Sequence, residues 1–282
     1  VASGAIGLVL ARPTRLFGVE PFFMELIGGL EETFVERGLS ILLHVVPTQA
    51  EEIAAYRRWA AGGVAEAVIV PNLVADDPRP AVLTELGLPA VLVGSWQGPG
   101  AFSTVRAHDA EPVQDAAARL LALGHRRIAR VTGPRNLLHT QARSAALVEA
   151  CAPHGVVPVI VEGDYTERSG ADLTETLLRS PEPPTAIVYD NDLMAIGGLR
   201  VAEELGVDVP GRLSVVAWDD STLCRLATPP LTVLALDVHQ YGITVAEAVL
   251  DVLDGKPPVE RWAPPSRWLE RASTGPAPAA GA

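Results

Sequence analysis

Two polar residues in this chain stand where ligand chemistry would be done. Asn191 follows the apolar run Ala186 to Tyr189, and Asp219 ends the run Leu213 to Trp218. Both runs are rich in β-formers, and a helical pattern from Asp192 to Leu205, stopped by Gly206, lies between them. In an open parallel sheet, ligands sit at the carboxyl ends of the strands. Asn191 and Asp219 are therefore placed to meet the same small molecule. Covalent chemistry finds less support. The chain has no G-x-S-x-G elbow, no phosphate loop ending in G-K-[ST], and no G-x-G-x-x-G after its first strand. Its six histidines lie far apart, without zinc spacing. No enzyme activity, catalytic residue, metal or cofactor is expected. His125, just after a helix end in LGHRRIA, reads as a structural hydrogen bonder.

The elements that must position these residues alternate. Ala5 to Leu10 reads as a strand, and Pro21 opens a helix that Gly38 stops. Strand Leu39 to Val46, helix Gln49 to Ala61, and strands Ala67 to Val70 and Pro89 to Val93 follow. Helix Glu111 to Leu123 ends at Gly124, and HRRIARVTGP begins a second series. That series runs through helix Thr140 to Cys151, strand Val156 to Val161 and helix Ala171 to Leu178, then the stretch around Asn191 and Asp219. A last helix spans Val238 to Leu253. Such alternation predicts an α/β class with doubly wound parallel sheets.

Bulk composition narrows the function. The 282 residues suffice for two lobes, and 48% hydrophobic residues can bury a large core. The net charge is −12 and Lys256 is the only lysine, so the chain by itself lacks the clustered cations that DNA phosphates need. Cys151 and Cys224 read as small core residues in a reducing cytoplasm. No apolar run is long enough for a membrane span, and no signal peptide opens the chain. Val1 is not a native start, so an upstream segment is expected to have been removed.

The stretch PTAIVYDNDLMAIGGLRVAEELGVDVPGRLSVVAWDD, with PPLTVL after it, resembles the effector-binding domain of the lactose-repressor/galactose-repressor (LacI/GalR) family of transcriptional regulators. The resemblance implies a periplasmic-binding-protein-like fold of two doubly wound parallel-sheet lobes with a ligand cleft between them, joined by three crossovers. It places residues 1–124 and 237–262 in the first lobe and 125–236 and 263–274 in the second; the small-residue, Pro-rich composition of 275–282 reads as a flexible tail. It implies a small-molecule effector, here a sugar, a homodimer, and operator DNA reached only through a headpiece outside this chain. The same fold serves solute-binding proteins of sugar transporters, and the upstream sequence would discriminate: a helix-turn-helix marks the regulator, a signal peptide the transporter.

The resemblance also assigns residues. Arg143, in GPRNLLHTQARSAAL, would hold ligand polar groups, since a guanidinium forks onto vicinal hydroxyls or a carboxylate; otherwise it is a surface arginine. Asp219 would accept hydroxyl hydrogen bonds, with Asp220 left to the turn. Asn191 would go to the ligand and Asp192 to the helix cap or an interface. Tyr165 would stack on the ligand face or else cover the core. His139 would make a polar contact, and one of Phe22 and Phe23 would face the cleft while the other packs. The chain departs from the family at HDAEP, His108 to Pro112, where Glu111 is a candidate replacement carboxylate. It departs again at Gly94-Ser95, and in a longer loop that carries Arg12 and Arg15.

Overall fold

The computed structural model describes residues 4–13 and 20–279. The chain divides into two units. The first runs up to Ala107 and returns over Asp237–Pro264; the second holds His108–Leu236 and the segment from Pro265 onward.

In the first unit β1 (Ala5–Ala11), β2 (Ser40–Val46), β3 (Ala67–Val70), β4 (Ala90–Val93), β5 (Ser103–Arg106) and β11 (Glu260–Trp262) form one sheet in the order β11-β5-β4-β3-β1-β2. Every pairing in it is parallel. Its helices are α1 (Pro21–Phe34), α2 (Gln49–Gly62), α3 (Arg79–Leu86) and α9 (Val238–Leu253). Local chemistry sets their ends. Pro21 occupies the first turn of α1, where its missing N–H costs nothing. Thr48 and Glu51 form a reciprocal capping box on α2. Asp237 caps α9 by accepting from the Gln240 N–H at 2.9 Å.

Helices α1 and α9 pack closely because both carry glycine at the crossing. A Cβ on Gly29 would stand 2.0 Å from the His239 carbonyl oxygen, and one on Gly242 would stand 2.2 Å from that of Leu26.

The second unit repeats the scheme. Its sheet runs β12-β10-β9-β8-β6-β7, from β6 (Ile128–Thr132), β7 (Val159–Glu162), β8 (Ala186–Tyr189), β9 (Ser214–Trp218), β10 (Thr232–Ala235) and β12 (Arg267–Leu269). Here the expected all-parallel sheet needs one correction: β12 pairs antiparallel with β10. Successive residues on the strands alternate between two cores. Ile128, Val188, Val216 and Trp218 pack under α4 (Ala110–Ala122) and α5 (Leu138–Cys151). Ala129, Val131, Ile187 and Val215 pack on the other face, under α6 (Glu167–Leu178) and α7 (Asp192–Glu204).

The expected boundary at Gly124 moves to Ala107/His108. Helix α4 contributes Val113, Ala116, Ala117, Leu120 and Leu121 to the second unit's core, beside Ile128 and Leu147. The expected tail is also anchored at its start. Gly275 N donates to Ser214 Oγ at 3.1 Å, and Ala277 N donates to the Leu123 carbonyl at 2.8 Å.

His125 has the structural role its position suggests. Its Nε2 lies 3.1 Å from the Gly275 carbonyl and its Nδ1 2.9 Å from Thr185 Oγ1. The sequence reading assigns no secondary structure to α3, β5, β10, the short helix α8 (Thr222–Leu226), β11 or β12. Among the described residues no helix is long and apolar enough to cross a membrane.

Gly29→Ala tests the helix crossing. Intrinsic helix propensity favours alanine by about 1 kcal/mol, but overpacking against the α9 backbone costs about 1–3 kcal/mol. Urea unfolding is expected to show net destabilisation, and a stabilised variant would rule out the close crossing.

Candidate functional site

The strand order of the second unit reverses between β6 and β8, the position where open α/β sheets bind ligands. The loops leaving the carboxyl ends of β6, β7, β8 and β9 carry Gly133, Tyr165, Asp190 with Asn191, and Asp219. Helix α5 supplies His139 and Arg143 from successive turns.

Arg143 is buried, at 8% exposure. Its Nε donates to Asp109 Oδ1 at 2.9 Å, and its guanidinium lies 3.5 Å from the centre of the Trp218 ring. Among the described residues this is the hydrogen bond it makes, which leaves the Nη donors available to a ligand. Burial works against its charge, but Asp109, Asp190 and Asp219 together hold its pKa above the ordinary guanidinium value.

His139 Nε2 lies 2.9 Å from Tyr165 Oη. Burial, reinforced by the charge of Arg143, lowers the imidazole to about 4, so it is neutral at physiological pH. The Tyr165 ring lies over Gly133, where a Cβ would come within 2.0 Å of its Cζ. Tyr165 and Asp219 share an unusual backbone, each with φ at 69°.

Asn191 differs from expectation. It is the N-cap of α7: Oδ1 accepts from the Met194 N–H at 3.0 Å, and Nδ2 donates to the Tyr165 carbonyl at 2.9 Å. The cap is therefore Asn191 and not Asp192. Asp192 accepts from the Leu193 N–H at 2.7 Å, and burial pushes its carboxyl pKa up. Asn191 still serves the site, because its amide fixes the Tyr165 backbone.

Glu111 does not join the cluster. Its side chain is 69% exposed and lies 3.8 Å from His108. The carboxylate that reaches Arg143 is Asp109, two residues earlier. Asp109 sits at the N-cap of α4 but makes no side-chain cap bond, since its carboxylate is turned to the guanidinium.

Asp220 is ion-paired with Arg271 at 2.8 Å. Phe22 and Phe23 belong to the first unit. Phe23 is core, 3% exposed, with Arg12 4.8 Å from its ring centre, while Phe22 stays half-buried against its edge at 5.3 Å. Arg12 is buried in an ion pair with Glu20, and Arg15 lies outside the described residues.

Sequence reasoning passes over Arg130 and Asp190. Arg130 is fully buried in β6 and donates through Nε and Nη2 to Asp190 Oδ1, at 3.0 and 2.6 Å. The signal was present: a cation inside the buried run IARVT must find a carboxylate, and YDN supplies one. Asp190 Oδ2 accepts the Gly133 N–H at 3.0 Å. Burial works to raise the Asp190 pKa, but Arg130 and Arg143 outweigh it and keep the carboxyl below its usual value. Among the described residues no group of three His, Cys, Asp or Glu could hold a metal ion. The cluster offers one cation, carboxylates, a phenol, an imidazole and aromatic faces. That set recognises a molecule by hydrogen bonding and stacking.

The depressed pKa of His139 sets a pH dependence. Its folded value, about 4, lies below the unfolded value near 6.5, so the unfolded chain binds the proton first as pH falls. This group therefore destabilises the fold increasingly between about pH 6.5 and 4, by roughly 3 kcal/mol in total. Relative to wild type, His139→Gln is expected to flatten the stability profile over that window in denaturant titrations. Parallel profiles would contradict a desolvated, neutral imidazole.

Comparisons with known proteins agree with this architecture. Residues 117–274 match the model of a periplasmic binding protein-like domain. The HTH-type transcriptional regulator AglR of Rhizobium meliloti (strain 1021) is 31% identical over 286 residues, covering 97% of this chain and 79% of that protein. The crystal structure of a LacI family transcriptional regulator from Bifidobacterium animalis subsp. lactis DSM 10140 matches with a TM-score of 0.89 and 34% identity, over 98% of this chain and 100% of that one. The complex of the transcriptional regulator CelR with cellobiose matches with a TM-score of 0.88 and 29% identity, over 96% and 84% of the two chains. These relatives are regulators, which decides against an enzyme and in favour of a regulator over a transporter's solute-binding protein. The chain belongs to the LacI/GalR family of transcriptional regulators, of which it carries the periplasmic binding protein-like, effector-sensing domain.

Proposed function

We propose that the carboxyl ends of the second sheet hold a neutral polyhydroxylated effector, a mono- or oligosaccharide or a related polyol. The observation that carries this reading is Arg143, clamped between Asp109 and Trp218 with its Nη donors left over. Such a fork suits vicinal hydroxyls. Asp219 accepts from further hydroxyls, and Tyr165 and His139 add a phenol and a neutral imidazole. Asn191 acts by holding Tyr165. Asp109, Asp190 and Asp219 outnumber Arg130 and Arg143, so an anionic ligand would meet like charge in a partly dry site. The cellobiose bound to the relative CelR supports a sugar.

The effector acts by favouring one arrangement of the protein over another, which requires only a difference in affinity between the two. Operator DNA is contacted by a headpiece outside this chain, in the cytoplasm. The functional unit is a homodimer. Met24 on α1 and Leu226 on α8, 53% and 77% exposed, supply apolar surface for it.

Calorimetry against a panel of cellobiose, monosaccharides, sugar phosphates and nucleobases tests the effector class. A neutral sugar is expected to bind. Arg143→Ala is expected to weaken it by about 1.5–3 kcal/mol, the worth of a charged hydrogen bond. Asp219→Asn keeps a residue that tolerates the left-handed backbone and is expected to lose affinity at little cost in Tm. Tight binding of a phosphorylated or nucleobase ligand, with no sugar bound, would overturn the assignment. Sedimentation at micromolar concentration is expected to show a dimer, and a monomer alone would refute the oligomeric state.

A further inference from the structure

We propose that the buried Arg130–Asp190 ion pair is the positioning device of the effector site, setting Arg143 and the Tyr165 loop through one continuous hydrogen-bonded chain. The chain starts at the Gly133 N–H, which donates to Asp190 Oδ2 at 3.0 Å. Asp190 Oδ1 then accepts both Nε and Nη2 of Arg130. The remaining arm, Nη1, donates to Ser144 Oγ at 2.6 Å and reaches the Thr140 carbonyl at 3.4 Å. Ser144 Oγ in turn donates to the same carbonyl at 2.8 Å.

Ser144 follows Arg143 directly, and Thr140 follows His139. The network therefore ends on the turn of α5 that presents both residues. Its other end is equally placed. Gly133 is the floor under the Tyr165 ring, and Asp190 precedes the asparagine that binds the Tyr165 carbonyl. Both ends of the site thus share one anchor at the β6/β8 switch point.

Stability alone does not account for this pair. Arg130 is fully excluded from water and Asp190 is 3% exposed. Burying two charges costs desolvation that their attraction only partly returns, and apolar replacements of such pairs are often neutral or stabilising. What an apolar pair cannot supply is direction: a fork aimed at Asp190, Ser144 and the Thr140 carbonyl at once. Arg130 and Asp190 are positioning residues that act on the ligand through Arg143 and Tyr165.

The inference rests on the effector reading above, so the test carries one readout that needs no effector. The double variant Arg130→Met/Asp190→Asn removes both charges and keeps an acceptor for the Gly133 N–H. Its Tm is expected within a few degrees of wild type. The Arg143 Nε–H, bonded to Asp109, is expected to give a slowly exchanging NMR resonance in wild type and to lose that protection in the variant. Affinity for the best-binding sugar of the panel is expected to fall about tenfold or more, as misplacement of a binding group does.

Should the double variant fail to fold, Ser144→Ala removes the shorter of the two links from Arg130 to α5 and leaves the ion pair intact. It is expected to shift the Arg143 resonance and weaken the sugar in the same direction. A folded variant, double or Ser144→Ala, that keeps both the Arg143 protection and full affinity overturns the proposal. If wild type binds no sugar, the effector reading fails, and the Arg143 resonance still decides the positioning role.

Discussion

A guanidinium taken out of water must take its counter-charge with it, and both units are organised around that requirement. In the first, Arg79 is 3% exposed and spends its donors on Glu52, Asp77 and the carbonyls of Pro71 and Asn72. These partners come from α2 and from the loop after β3, so one side chain ties a helix to the carboxyl end of a central strand. In the second, Arg130 ties β6, β8 and α5 together in the same manner. Neither pair is an inexpensive source of stability, since each ion gives up several kcal/mol of hydration. Each instead excludes alternative packings, because any slip that separates the partners strands a charge in a dry interior.

The second unit puts a further cation beside this anchor. Arg143 shares the field of Asp190 with Arg130, and its own partner is Asp109. Flat against Trp218, it has lost most of its rotamer freedom before any ligand arrives. The entropy of ordering a long side chain is thus already settled in the free protein. A neighbouring imidazole kept neutral by burial adds no competing charge, and its hydrogen bond to Tyr165 orients the phenol.

How much of this could be read from the sequence follows from the range of the forces involved. Helix ends are written locally: Pro21, the Thr48/Glu51 pair and Gly206 each act within one turn, and the observed helices begin or end beside them. Buried central strands such as Ala67–Val70 and Ala186–Tyr189 are continuous apolar runs and are equally plain. The two short edge strands β11 and β12 are not. Glu260–Trp262 and Arg267–Leu269 are three residues each and half polar, and they become strands only because a neighbour is there to pair. The placement of α4 was likewise invisible, since an amphipathic helix shows that it has a partner but not which sheet provides it. The choice between Asn191 and Asp192, and between Asp109 and Glu111, was decided by three-dimensional reach. Each pair offers two acceptable polar groups within two positions, and only the fold shows which one caps the helix and which one meets the guanidinium.

The left-handed backbone shared by Tyr165 and Asp219 costs the two residues unequally. Aspartate tolerates that conformation at small cost, but an aromatic residue held there is strained by about 1–3 kcal/mol. Glycine at position 165 would relieve the strain and remove the ring and hydroxyl together. Under the proposed effector role, the change that relieves the backbone also removes the ring that would meet the ligand.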